Sequence, residues 1–152
     1  TVFVAEWYDG LTELDESAKL NSEYWNEMIA VRSAVAKQLE QLRNDKVIKG
    51  SLTAEVTLYC EEGLYNKLAT LEDELRFVLI TSQAQVAPLC DAVDAKQTEL
   101  DGLQVKIVKS SAEKCPRCWH YRADVGLNAD EPELCGRCVE NVHGDGESRS
   151  FA

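Results

Sequence analysis

The residues best suited to chemistry lie late in the chain, at Cys115-Pro116-Arg117-Cys118 and, after sixteen intervening residues, Cys135-Gly136-Arg137-Cys138. Each Cys-x-x-Cys is a knuckle whose tight turn aims two thiolates at one point. Two knuckles together supply the tetrahedral four-sulfur set that Zn²⁺ prefers. A thioredoxin-like redox pair needs one such motif at a strand-to-helix junction, whereas here two copies flank a loop rich in Gly, Asn, Asp and Pro. Two interlocked disulfides are the alternative if the chain is secreted. With Cys115, Cys118, Cys135 and Cys138 filling four positions, no place is left for water, so the expected metal is one structural Zn²⁺ and not a catalytic one. Residues 103–152 hold few large apolar side chains, and metal binding is expected to supply much of their folding free energy.

No second centre of chemistry competes with this one. The 152 residues contain no Gly-rich phosphate loop, no Ser/His/Asp constellation and no paired-carboxylate signature. The two histidines, His120 and His143, are spare once four cysteines are present, and each is expected at the surface. Unpaired Cys60 and Cys90 beside a thiolate metal site suit a reducing compartment, so a soluble, cytoplasmic chain is expected. No apolar run approaches the roughly 20 residues needed to span a bilayer. The chain opens at Thr1 directly on an apolar-aromatic segment, which reads as a cut through a longer protein.

A formal net charge of −11 argues against indiscriminate nucleic-acid binding, because phosphate neutralisation supplies most non-specific affinity. The acidity is local. Residues 1–102 set nine Lys and Arg against nineteen Asp and Glu, while residues 103–152 set seven against eight. Lys106, Lys109, Lys114, Arg117, Arg122 and Arg137 lie on or beside the knuckles, placed either to meet phosphates or to offset thiolate charge.

The elements that position the knuckles can be read from periodicity. Phe3, Trp7, Tyr8 and Leu11 make a segment expected to pack on something larger. Asn21 or Ser22 caps a helix from about Glu23 to Asp45, with Trp25, Met28, Ile29, Arg32, Val35, Ala36, Leu39 and Leu42 recurring at three- and four-residue steps. Thr53 to Cys60 alternates as a strand, burying Ala54, Val56, Leu58 and Cys60. Leu64, Leu68, Leu71 and Leu75 predict a continuous amphipathic helix from about Glu62 to Leu75, with Glu72-Asp73-Glu74 as a solvated face. Short strands are expected at Phe77 to Thr81, at Gln85 to Leu89 and around Leu103, Val105 and Ile107, with Asp91 to Gly102 as a loop. The expected fold class is α+β.

Leu75 to Ser82, Glu113 to Tyr121 and Leu134 to Val142 together resemble the C-terminal end of bacterial isoleucyl-tRNA synthetases. The likeness runs from Val2-Phe3 and Glu6-Trp7 through Gly144 to Glu147 and on to Phe151-Ala152. The same finger type closes the formamidopyrimidine-DNA glycosylases, but their helix-two-turn-helix segment and N-terminal catalytic proline are not seen, and Trp119 stands where they usually carry Gly. The synthetase resemblance implies that residues 1–50 end a helical anticodon-binding domain. It further implies that residues 51–109 form a small mixed α/β junction subdomain and that residues 110–152 form a C-terminal four-cysteine zinc finger reaching the anticodon loop of tRNA(Ile).

The full-length family member, expected as a monomer, ligates isoleucine to tRNA(Ile) with ATP and edits mischarged valine in a separate domain. The HIGH and KMSKS signatures are absent here, so this stretch is expected to be catalytically silent, with upstream domains of the same polypeptide as partners. Arg117 and Trp119 are the candidate tRNA contacts. An indole on a metal-braced turn offers a rigid face to an unstacked base, and a guanidinium offers a planar fork to phosphate or base edge. The competing reading of Trp119 is a substitute core packed across the metal site. The competing reading of the whole chain is a stand-alone zinc-ribbon adaptor.

Overall fold

The computed structural model describes residues 2–151, so Thr1 and Ala152, the outer ends of the first and third segments drawn above, lie outside the described residues. The first long element is helix α1, Ser22–Asn44, whose N-cap Asn21 accepts a hydrogen bond from Tyr24 N–H. The helix stops at Lys46, which adopts φ 60°, and Val47 N–H then closes back on Leu42 C=O at 2.9 Å. The buried stripe is shifted from the one expected: Tyr24, Val31 and Ala34 join Met28, Val35 and Leu39 inside, whereas Ile29 and Ala36 face out. Both phases satisfy a 3.6-residue period, and only the position of the sheet selects between them.

Strand β1, Ala54–Cys60, has the alternating burial expected, with Ala54, Val56, Leu58 and Cys60 inside. Burial pushes the Cys60 thiol up to about 12, consistent with a core residue and not a reactive one. Among the described residues β1 is a central strand of a four-stranded sheet in the order β2-β1-β4-β3. Here β2 is Gln83–Pro88, β3 is Lys96–Gln97 and β4 is Leu103–Lys109. Strand β1 runs parallel to β2, pairing Leu58 with Val86, and antiparallel to β4, pairing Leu58 with Val105.

A parallel pair needs a crossover, and residues 62–82 provide it in a form that differs from the expectation. The continuous helix is broken: α2 covers Glu62–Ala69 and α3 covers Leu75–Leu79, with a tight turn at Glu72–Glu74 between them. Leu68, Leu71 and Leu75 are all buried as their spacing demands. The break falls at Glu72, which adopts φ 46°, and at the end of α2 Tyr24 of α1 donates its hydroxyl to Lys67 C=O at 3.1 Å.

The run Phe77 to Thr81 is therefore mostly helix and not strand. Its β-prone residues are overruled by burial of Leu75 and Leu79 on one helical face, with Ile80 ending the helix at φ 56°. Nor is Glu72-Asp73-Glu74 simply a solvated face. Asp73 accepts from buried Arg76 at 2.9 Å, and Glu74 accepts from Ser150 and Phe151 N–H at 2.6 and 2.7 Å.

Helix α1, the crossover and the inner sheet face share one buried core, and the cysteine cluster forms a second, separate one. Phe3 and Trp7 are 94% and 98% exposed, so among the described residues nothing covers the N-terminal aromatic segment. No helix among the described residues is long and apolar enough to cross a membrane.

Candidate metal centre

The first knuckle follows strand β5, Glu113–Lys114, and turns back into β6, Tyr121–Arg122. Cys115 N–H donates to His120 C=O and Trp119 N–H to Cys115 C=O, both at 2.9 Å, which closes the turn. The second knuckle opens helix α4, Gly136–His143: Cys135 is its N-cap and Cys138 lies in its first turn. Asp124 accepts from Gly136 N–H at 3.0 Å, adding a cap to the start of that helix.

These two turns bring Cys115, Cys118, Cys135 and Cys138 together, with their four sulfurs all within 4.8 Å of one another. Cys118 and Cys135 are 3.7 Å apart, which matches the edge of about 3.8 Å expected of a tetrahedron with Zn–S bonds of about 2.3 Å. Burial and hydrogen bonding act unequally on the thiols. Burial pushes the Cys115 thiol up, but backbone N–H groups of Cys118, Cys135 and Arg117 outweigh it and bring the thiol down to about 6. Burial, aided at Cys135 by the neighbouring Cys118, pushes the Cys135 and Cys138 thiols up instead. Four thiolates coexist here only around a cation, so this donor set fits Zn²⁺.

The remaining singled-out residues are dispersed. Trp119 is 60% exposed, so it is no core for the finger, and Lys114 Nζ stands 5.4 Å from its ring centre. Arg117 is exposed yet turns Nη1 to Cys138 Sγ at 3.6 Å. Arg122 donates to Ser82 C=O at 3.3 Å, Arg137 to Glu147 at 2.9 Å and Lys106 to Val93 C=O at 3.3 Å, while Lys109 and Lys114 are exposed. Of the cations near the knuckles, then, Arg122 and Arg137 chiefly serve the protein's own contacts.

His120 corrects the surface expectation. It is buried edge-on against Phe77, with ring centres 6.0 Å apart, and its Nδ1 lies 3.2 Å from Cys118 C=O. Desolvation first, and the nearby Arg76, Arg137 and Arg122 charges after it, hold its pKa below the usual histidine value. His143 is exposed as expected and meets Glu131 at 2.8 Å.

His120 belongs to a docking seam that sequence reading missed. The Phe77 ring is flanked by the Arg76, Arg137 and Arg149 guanidiniums at 4.0, 5.3 and 3.9 Å. Fully buried Ser82 ties the seam, donating Oγ to Leu52 C=O at 2.5 Å and accepting Tyr121 N–H at 2.6 Å. Ser82→Ala deprives both groups of that partner and is expected to lower stability by about 1–3 kcal/mol. Urea melts and faster amide exchange at Tyr121 are the checks, and unchanged exchange there would count against the seam.

Residues 112–141 match the model of the zinc finger found in FPG and IleRS. The matched segment contains both Cys-x-x-Cys knuckles. The finger and the four clustered cysteines together call for one structural zinc ion. The whole chain is also similar to isoleucine–tRNA ligases. That of Pseudomonas paraeruginosa is 56% identical over 153 residues, covering 100% of this chain and 16% of the relative. That of Pseudomonas entomophila is 54% identical over the same length and coverage. That of Aliivibrio fischeri is 55% identical over 152 residues, covering 99% of this chain and 16% of the relative. The chain thus spans about one sixth of the length of the ligases it matches.

Proposed function

We propose that this chain is the tRNA(Ile) anticodon-region recognition module of an isoleucine–tRNA ligase. In this reading residues 1–50 end a helical anticodon-binding domain, residues 51–109 are the junction and residues 110–152 are the finger. The longer cytoplasmic polypeptide joins isoleucine to tRNA(Ile) using ATP, and this stretch contributes binding without catalysis. Cys115, Cys118, Cys135 and Cys138 are the four zinc ligands. The metal braces the turn that carries Arg117 and Trp119.

The observation that carries the reading is the state of Trp119. Its side chain is mostly exposed while its backbone sits at φ 67°, a left-handed conformation costing a non-glycine residue about 1–2 kcal/mol. Neither burial nor backbone preference accounts for an indole there, and such strain is a mark of functional positions. One face of the ring lies near Lys114, a cation suited to the phosphate of a stacked nucleotide. Arg117 keeps donors beyond the one turned to Cys138, on the same turn and exposed.

Trp119→Ala in the longer polypeptide is expected to weaken tRNA(Ile) binding by about 1–3 kcal/mol, roughly ten- to a hundredfold, while isoleucyl-adenylate formation is spared. Trp119→Gly should lose the same affinity without loss of stability, because glycine relieves the left-handed backbone. If instead either variant sheds zinc and Trp119→Phe restores it, the indole is structural and the stacking role falls. Tighter binding of an abasic DNA duplex than of tRNA(Ile) would favour the glycosylase-type use of this finger.

A further inference from the structure

We propose that residues 147–151 are a strap that returns from the finger to the crossover, closes on Glu74, and holds the finger at one angle to the sheet, so that Trp119 is presented in one orientation. The service to Trp119 rests on the function proposed above; the strap itself does not. Helix α4 ends at His143, and Gly146 at φ 95° turns the chain back, an angle glycine adopts readily. Glu147 N–H donates to Asn141 of α4 at 3.1 Å, tying the start of the strap to the helix it leaves.

The Glu147 carboxylate joins Arg137 of α4 to Arg149 of the strap, each at 2.9 Å, and Arg149 lies against the Phe77 ring at 3.9 Å. Glu74 is the catch. One of its carboxylate oxygens accepts Ser150 N–H at 2.6 Å and the other accepts Phe151 N–H at 2.7 Å, while the Phe151 side chain packs against the large core. Two charge-assisted bonds from consecutive residues to one carboxylate set a direction, where a single bond would leave a swivel. The run Gly144 to Ser150 has the Gly- and Ser-rich polar composition of a flexible coil, so its order comes from these partners.

The two halves of the finger are thereby anchored separately. The β5–β6 half is held by Tyr121 N–H on Ser82 and by His120 against Phe77. The α4 half is held by the strap. The four clustered cysteines join the halves, and two anchors on one body fix its angle, whereas one anchor leaves rotation about itself.

The test uses the zinc-loaded 152-residue chain in a weakly aligning medium. In the wild type a single alignment frame should account for the residual dipolar couplings of β1, β4 and α4. Glu74→Ala removes the catch, and Ser150→Pro removes one donated N–H without altering the crossover. In both variants the couplings of α4 should shrink and leave the frame of the sheet. Zinc content, the couplings of β1 and β4 and the slow exchange of Tyr121 N–H should stay as in the wild type. In the longer polypeptide Glu74→Ala should weaken tRNA(Ile) binding about tenfold, as when the competent orientation falls to about a tenth of the population. It should add little on a Trp119→Ala background.

One alignment frame for sheet and α4 in Glu74→Ala would overturn the strap and leave the recognition role of Trp119 standing. A loosened finger in Glu74→Ala beside a rigid one in Ser150→Pro would also overturn it, because the carboxylate would then act through its own turn. Loosened couplings with unchanged tRNA binding would keep the strap and overturn its service to Trp119. If Trp119→Ala alone spares tRNA binding, the recognition reading fails, and the couplings decide the strap without it.

Discussion

Stripping zinc with a chelator is expected to unfold the chain from about residue 110 onward while α1 and the four-stranded sheet remain folded. The buried cluster of the finger consists of Cys115, Cys135 and Cys138, with partly buried Cys118, Val125 and Leu134 around it. Without the metal this cluster is a set of thiols that repel one another's ionisation and bury little apolar surface. Structural zinc in finger peptides contributes about 10–16 kcal/mol of apparent binding free energy, far more than so small a cluster supplies by burial.

The sheet has its own core, built from α1, the crossover leucines and the inner faces of β1 and β4. Amide exchange should therefore rise sharply over the finger while β1 and β4 stay protected, and added zinc should restore the first pattern. Exchange at residues near Phe77 and Ser82 should rise as well, because their partners His120 and Tyr121 leave with the finger. Retained protection of residues 115–143 after verified metal removal would show that the finger folds without zinc.

The converse prediction is that Leu58→Ala destabilises the sheet by about 2–5 kcal/mol while the chain still takes up one zinc per molecule. Leu58 is fully buried on the central strand, paired with Val86 on one side and Val105 on the other. Neighbours held in register by the sheet cannot collapse onto the space its side chain would vacate, so the cost combines lost transfer energy and a residual cavity. Urea unfolding followed at α1 should shift to lower midpoint, with metal stoichiometry unchanged below the transition. Loss of zinc in the native baseline would mean that the two cores are one cooperative unit. The two experiments thereby assign stability separately to the metal and to the apolar core.

What was legible in advance has a common character: it depends on residues close together in the chain. The Asn21 cap, the alternation of Ala54, Val56, Leu58 and Cys60, and the strand at Leu103–Lys109 each follow from local periodicity or capping, and the structure contains them. The two Cys-x-x-Cys turns belong to the same class. A knuckle is a short-range object, and thiolate chemistry names its metal without help from the fold.

What escaped reading depends on partners brought from far away. The end of α2 involves Tyr24, 43 residues distant from Lys67, and the seam involves Ser82, 39 residues from Tyr121. His120 is polar and adjacent to a knuckle, so its sequence context favours the surface; only the approach of Phe77 buries it.

The arginines illustrate the division most clearly. Sequence alone determined that cations cluster around the thiolates, that four cysteines suffice for one closed metal site, and that an aromatic residue follows the first knuckle. Tertiary structure alone decided the fate of each charge: Arg122 and Arg137 turn inward to the protein, Arg117 reaches across to a sulfur of the opposite knuckle, and Lys114 stands beside Trp119. It also decided that Trp119 is displayed and not buried. The physical reason is that ligand spacing is a property of a few consecutive bonds, whereas exposure and ion pairing are properties of the surface that remains after all the elements have packed.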